Sequence, residues 1–315
     1  MNTLPHIHAV TGAFGYTGRY ITRQLLAAGH HVITLTGHPN RPNPFGERVQ
    51  TNSFNFDNPA GLTATLKGVD VFYNTYWVRF SHGKTTFEQA VQNTKTLIDA
   101  AKAAGVRRFV HVSITNPSLD ASLPYFHGKA VLEQYLQDSG LSYAILRPTV
   151  VFGKEDILLN NIAYLLRRFP VFVIPGSGEY QLQPIFVEDL AELAIQAGKG
   201  NENLCVDAIG PETFTFAELV RIIHAQVGSH ARVVSLPPGL ALTLSRLVGM
   251  IVNDVVLTRD EVVGLMDNLL VTNSPPVGNT RFSEWAKENV QFLGVKYASE
   301  LERHYRFKAL QQKRM

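Results

Sequence analysis

The sequence predicts an α/β fold, a Rossmann-type doubly wound parallel sheet with a small, mostly helical C-terminal domain. Three observations carry this. Short β-branched runs alternate with helix-period runs through the first half, with no internal repeat or low-complexity tract. A glycine-rich turn, TGAFGYTG, joins the first run to the first helical segment. Beyond residue 205, the capping-box starts TFAE (215–218) and TRDE (258–261) open helical runs.

Taken in order, HIHAVT (6–11) reads as the first strand, RYITRQLLAAG (19–29) as a helix ended by Gly29, and HHVITLT (30–36) as the second strand. VDVFYNT (69–75) and RRFVHVS (107–113) are further strands, the latter preceded by the helical FEQAVQNTKTLIDAAKAAG (87–105). A helix is expected from about Pro124, with Val131, Leu132, Tyr135 and Leu136 as its buried stripe, and SYAILRP (142–148) is the next strand. This divides the chain into a dinucleotide-binding domain over 1–205, with an excursion at about 153–186 toward a substrate cleft, and a smaller substrate or partner domain over 206–315.

Composition bounds the function class. The 315 residues are 45% apolar and 17% charged with a formal charge of +3, which suits a soluble enzyme-like globule and argues against a nucleic-acid-binding chain. The doublets Arg107-Arg108 and Arg167-Arg168 read as solvated element ends. The single cysteine, Cys205, sits in an apolar run and is expected to be a buried structural thiol. Eleven histidines include no pair at metal-ligating helical spacing beside a glutamate, so no metal is assigned. MNTLPHIHAV has neither a charged start nor a long apolar stretch, so the fold is expected to begin almost at Met1, in the cytoplasm. The most apolar stretch, 239–252, is interrupted by Arg246 and too short to span a bilayer. It is expected to pack in the core, or alternatively to rest peripherally on a membrane surface or a partner complex.

The turn between the first strand and its helix carries the chemistry. Gly12 permits the tight turn, Gly15 lets a pyrophosphate approach the backbone, and Gly18 lets the helix pack close, with Phe14, Tyr16 and Thr17 completing the cofactor-binding turn. At the end of the second strand no acidic residue waits for a ribose; TGHPNRPNPFGER offers His38 and Arg41 instead, so NADPH (NADP) is favoured, with NAD as the alternative. Ser113 ends a strand, and Tyr125 and Lys129, the chain's one Tyr-x-x-x-Lys, follow 12 and 16 residues later. A Tyr hydroxyl titrating near 10 needs a fixed cation to exchange protons near neutrality, and a lysine one turn away can supply it.

The Gly-x-x-Gly-x-x-Gly turn together with Tyr125 and Lys129 resembles the short-chain dehydrogenase/reductase superfamily, particularly its extended and atypical branches. The resemblance implies Ser113 as hydrogen-bond donor to a substrate carbonyl, Tyr125 as the catalytic acid, and Lys129 as its support and a contact to the nicotinamide ribose. It also implies Asp57 beside the adenine, Asn74 against the cofactor and Pro148 at the nicotinamide end. Asp57 reads equally as helping to cap the helix at Asn58-Pro59, Asn74 as a turn residue, and Pro148 as structural. Asp189 reads as a helix-start residue. PGSGEYQLQP (175–184) reads as a loop over substrate, with Tyr180 and Gln183 as contacts, or as a surface hairpin.

HVSITNPSLDASLPYFHGKAV, LRPTVVFGKEDILLNNIAYLLRRFPVFVIPGSGEYQLQPIFVEDLA and VLTRDEV resemble the NADPH-binding accessory subunit of respiratory complex I and its bacterial relatives. That likeness implies dinucleotide binding without assured turnover. The expected function is hydride transfer to or from a small apolar carbonyl or alkene. The alternative is a non-catalytic NADPH-binding sensor or complex-assembly protein. A sugar-nucleotide epimerase is a weaker third option, because its serine-rich signature before the tyrosine is missing. The small-molecule substrate and the oligomeric state stay open.

Overall fold

A computed structural model describes residues 6–83 and 85–305; residues 1–5, on which the reading of the N-terminal start partly falls, lie outside the described residues. In chain order, β1 (Ile7–Thr11), α1 (Tyr16–Ala27), β2 (His31–Thr36), β3 (Val49–Ser53), α2 (Pro59–Leu66) and β4 (Val69–Asn74) come first. Then come α3 (Phe87–Ala104), β5 (Arg108–Val112), α4 (Pro124–Asp138), β6 (Tyr143–Pro148), β7 (Val151–Phe152) and α5 (Leu158–Arg168). They are followed by β8 (Val171–Pro175), β9 (Gln181–Leu182), β10 (Ile185–Phe186), α6 (Val187–Lys199), β11 (Leu204–Ala208), β12 (Phe214–Thr215) and α7 (Phe216–Gln226). The remaining elements are β13 (Arg232–Leu236), α8 (Pro238–Val252), α9 (Arg259–Met266), α10 (Phe282–Glu288) and α11 (Glu300–His304).

Two units form. The first comprises residues 1–149, 187–209 and 274–278, and the second comprises 150–186, 210–273 and 279–315. The second unit includes 150–186, which contains the stretch at about 153–186 expected as an excursion toward a substrate cleft.

The first unit is built on a seven-stranded sheet in the order β11-β6-β5-β4-β1-β2-β3, with every neighbouring pair parallel. Helices on both faces explain why its central strands are buried on both sides rather than on alternate residues: β1 is buried at every position after Ile7. α1 begins at Tyr16, three residues before the expected start, because the turn passes directly into helix after Gly15. Thr86 caps α3 by accepting from Gln89 N, and Gly105 ends it with φ +73. Ala9, Phe72, Leu97, Phe109, Leu136 and Ile145 pack together in the core between sheet and helices.

Three expectations in this unit are corrected. Arg108 is fully buried rather than solvated, because Ala197 O, Ser142 Oγ and Glu202 O take its guanidinium N–H groups. Cys205 is exposed, since β11 is an edge strand with an outward face. Desolvation by the surrounding side chains still pushes its thiol up to about 11, which keeps it protonated. Lys129, expected off the buried stripe of α4, lies on the buried face with Phe126, Leu132, Glu133 and Leu136.

At the amino end of β1, His8 is buried with its ring 4.6 Å from His30 and 5.9 Å from Tyr73. Burial first, and His30 second, lower its pKa to about 4. The unfolded chain therefore binds this proton near 6.5 while the fold refuses it until about 4, so stability is full above 6.5 and falls as the pH drops. Urea titrations between pH 7 and 4 should show a loss of up to about 3 kcal/mol from this group, and His8→Phe should flatten that slope.

In the second unit, Phe152, Leu159, Leu182, Leu219, Phe282 and Trp285 share one hydrophobic core. Both expected capping boxes form, Thr215 with Glu218 and Thr258 with Glu261. Tyr180 is not a loop-tip contact: it is buried, stacks on Phe216 and donates to Pro175 O at 3.1 Å. Gln183 is likewise buried, its Nε2 donating to Gly210 O at 3.3 Å.

α8 departs most from expectation. Among its residues only Ala241 and Gly249 are buried, while Leu240, Leu244, Leu247, Met250 and Ile251 are exposed. The spacing of 240, 244, 247 and 251 sets four large apolar side chains on one outward stripe. The small residues pack inward instead, as Gly249 must: an added Cβ would stand 2.6 Å from Asp254 O. Among the described residues no helix is long and apolar enough to cross a membrane.

Candidate functional site

β1 is flanked by β4 on one side and β2 on the other, so the chain leaves the sheet in opposite directions from this point. Such a switch opens a crevice at the carboxyl ends of the strands, where doubly wound folds hold dinucleotides. The TGAFGYTG turn lies at the end of β1.

Gly12 has φ +64, and its carbonyl accepts the Gly15 N–H at 2.8 Å. A Cβ on Gly18 would stand 2.4 Å from Gly12 O and 2.9 Å from Gly12 C, so α1 lies against the turn with no room for a side chain. Gly15 is the N-cap, no side chain caps α1, and its first turn holds no acidic residue. The positive end of the helix dipole is therefore presented to an anion. Phe14 is buried and its carbonyl accepts from Arg19, which braces the turn. Tyr16 and Thr17 are half-buried in the first turn of α1.

A fixed hydrogen-bond chain crosses from β1 to β5 beneath this turn. Thr75 N donates to Thr11 Oγ1 (2.7 Å), Thr11 Oγ1 to Asn74 Oδ1 (3.1 Å), and Asn74 Nδ2 to His111 Nδ1 (3.0 Å). Because the amide nitrogen can only donate, Nδ1 accepts and the imidazole proton resides on Nε2. Burial first, and the charge on Lys129 second, hold His111 well below the usual histidine range, so it stays neutral. Asn74, read as either a cofactor contact or a turn residue, is thus the central link between three strands.

Ser113, just past β5, is fixed through its N–H to Leu146 O at 2.7 Å, and its Oγ is buried with no partner among the described residues. Lys129 is 2% exposed, and its Nζ donates to Val112 O at 2.8 Å, next to Ser113. Burial pushes it down to about 7, with Glu133 pulling the other way. Glu133 also binds Arg147 through both carboxylate oxygens. Tyr125 is half-buried among Trp77, Phe87, Val78 and Ala90, its ring 5.6 Å from Trp77 and 5.9 Å from Phe87. Pro148 ends β6, and its carbonyl accepts from Thr115 N at 3.0 Å.

The adenosine end is formed differently. His38 and Arg41 bracket a turn closed by Arg41 N to His38 O at 3.0 Å. Asn58, not Asp57, caps α2, accepting from Gly61 N, which leaves Asp57 exposed at the loop end. Phe54 stacks on Phe56 at 4.8 Å, with Tyr76 edge-on to Phe54 at 4.9 Å.

The first unit therefore gathers Gly12, Gly15, Gly18, Asn74, Ser113, Lys129 and Pro148 at the carboxyl ends of β1, β4, β5 and β6. The glycine turn, the uncapped helix and the buried Ser113 hydroxyl fit a dinucleotide with a reactive group beyond it. Sequence reasoning missed Thr11, Thr75, Trp77 and His111. His111 lies two residues before Ser113 and so shares its strand face, a signal present in HVS. Trp77 had no such signal, because it lies in an irregular loop.

Residues 12–158 match the family model for NAD(P)H-binding domains. The chain is 24% identical over 287 residues to the Arabidopsis thaliana mitochondrial NADH dehydrogenase [ubiquinone] 1 alpha subcomplex subunit 9, covering 85% of this chain and 71% of that protein. Among solved structures it resembles the Escherichia coli NADPH-dependent quinone oxidoreductase complexed with NADPH (TM-score 0.73, 21% identity, 90% of this chain and 98% of that one). It also resembles the Citrobacter sp. triphenylmethane reductase complexed with NADP(H) (TM-score 0.72, 18% identity, 89% and 99%). These two likenesses are of fold.

Proposed function

We propose that the chain, whose residues 12–158 match the NAD(P)H-binding family model and which resembles the extended short-chain dehydrogenases/reductases, is an oxidoreductase that reduces a small apolar carbonyl or quinone-type acceptor. The observation that carries this is the buried Ser113–Lys129 arrangement at the carboxyl end of the sheet, with Tyr125 one turn of α4 before Lys129 and both in contact with Trp77. When bound, NADPH supplies a hydride, two electrons with one proton, to the acceptor. Gly12, Gly15, Gly18 and the N-terminus of α1 hold its pyrophosphate. Asn74 and Pro148 bound the nicotinamide end. The Ser113 hydroxyl donates to the acceptor oxygen, and Tyr125 delivers the proton that oxygen takes up, then recovers one from water. Lys129 favours the phenolate that Tyr125 passes through. The test is NADPH oxidation in the presence of a short-chain quinone, an enone and an aldehyde; absence of turnover with all three would contradict the proposal.

NADPH is favoured over NADH. No carboxylate ends β2, His38 and Arg41 follow it, and both structural neighbours above were crystallised with NADPH or NADP(H). NADPH should bind more tightly than NADH, and Arg41→Ala should narrow the difference about tenfold, as loss of one charge-assisted contact does. Calorimetric titration of both nucleotides checks this.

The outward apolar stripe of α8 favours a second reading, a dinucleotide-holding subunit that docks on a membrane-protein complex; its Arabidopsis relative is named as a subunit of a mitochondrial NADH dehydrogenase. Leu244→Glu with Leu247→Glu should then abolish co-sedimentation with membranes while NADPH binding stays unchanged. Co-sedimentation that survives the double substitution, or is absent in the unmodified protein, would remove this reading.

A further inference from the structure

One residue touches both members of the Tyr125–Lys129 pair. The Lys129 ammonium stands 4.5 Å from the centroid of the Trp77 ring, on its face, while the Trp77 ring meets Tyr125 nearly at right angles (81°) at 5.6 Å. Trp77 is itself held by stacking on Phe87 at 6.0 Å and 28°. Gly128 makes the approach possible: a Cβ there would lie 3.0 Å from Trp77 Cη2 and 3.2 Å from Val91 Cγ2. A buried ammonium has lost its water, and the protein replaces that water with the Val112 carbonyl and this indole face.

We propose that Trp77 is a positioning residue of this site: its face holds the Lys129 ammonium at the carboxyl end of β5 while its perpendicular contact fixes the Tyr125 ring, so that the two are set as one unit. This deepens the oxidoreductase reading and rests on it for the role of the pair. The surrounding charges make the indole matter. Glu133 on α4 is the nearest anion, and Arg147 on β6 shares its charge. His111 on β5 is neutral. With so little compensating charge, burial already draws Lys129 down to about 7, and an aliphatic side chain in place of Trp77 removes one of the few groups that favour the cation.

The experiment compares Trp77→Leu, Trp77→Phe and the unmodified chain by two readouts. The first is the pH titration of Lys129 followed by NMR of the chain carrying 13C at lysine Cε, the signal assigned by its loss in Lys129→Met, which needs no turnover. The second is the pH profile of kcat/KM for quinone reduction. Trp77→Leu should shift the Lys129 titration down by about one pH unit, with the basic limb of the kcat/KM profile moving with it, and Trp77→Phe should restore most of the shift. Should the Lys129 titration shift while no form turns over any acceptor, the coupling stands and the oxidoreductase reading falls. A titration unchanged in Trp77→Leu would overturn the proposal, whatever happens to the rate.

Discussion

Gly18→Ala should weaken NADPH binding at least about 100-fold. The methyl would stand 2.4 Å from Gly12 O and 3.0 Å from Thr11 O, both backbone atoms that cannot rotate away. The start of α1 would have to move off the turn, and the N–H groups that meet the pyrophosphate would move with it. Gly12→Ala supplies the contrast. Its Cβ would meet nothing closer than Thr75 Oγ1 at 3.8 Å, so it incurs only the strain of φ +64, about 1–2 kcal/mol, and the turn keeps its shape. Calorimetric titration should rank the losses Gly18→Ala above Gly12→Ala. The reverse order would mean that turn conformation, not helix approach, governs binding.

Tyr125→Phe should lower kcat for acceptor reduction by roughly 10²- to 10⁴-fold, the usual range for removing a general acid. Phenylalanine keeps the ring that Trp77, Phe87 and Val78 surround, so NADPH affinity and thermal stability should stay close to those of the unmodified chain. The measurement is single-turnover NADPH oxidation beside a calorimetric control. Equal rates in both forms would assign the proton transfer elsewhere and leave Tyr125 as a packing residue.

Much of the first unit was legible because both signals that define it are local. Buried parallel strands read as largely apolar runs, and β1, β2, β4, β5 and β6 stand within a residue or two of their expected bounds. The edge strand β3, VQTNS, was hidden by its polar face. The glycine turn was readable because a tight turn, a close approach and a helix start all require small residues there. Lys129 was misread because periodicity treats a lysine as a surface residue, whereas here a carbonyl, an indole and a neighbouring carboxylate share the cost of burying it. Trp77 and the chain through Thr11, Asn74 and His111 depend on contacts between residues about 40 to 60 positions apart, which no spacing rule records. α8 failed the opposite way: its apolar composition implied burial, yet Ala241 and Gly249 pack inward and the leucines face out. Arg108 shows the same limit, since nothing in a basic doublet announces that Ala197, Ser142 and Glu202 will receive one of the pair.

The most direct test of the central claim is transfer of the label itself. NADPH carrying deuterium at only one of the two C4 positions is incubated with the protein and a short-chain quinone or enone, and the nucleotide and product are analysed by mass spectrometry. Hydride transfer from a fixed nicotinamide beside Ser113 and Tyr125 predicts that one epimer loses its deuterium completely and the other retains it, with Tyr125→Phe suppressing both rates. NADPH that binds tightly yet keeps its deuterium in both epimers, with every acceptor tried, would contradict the claim.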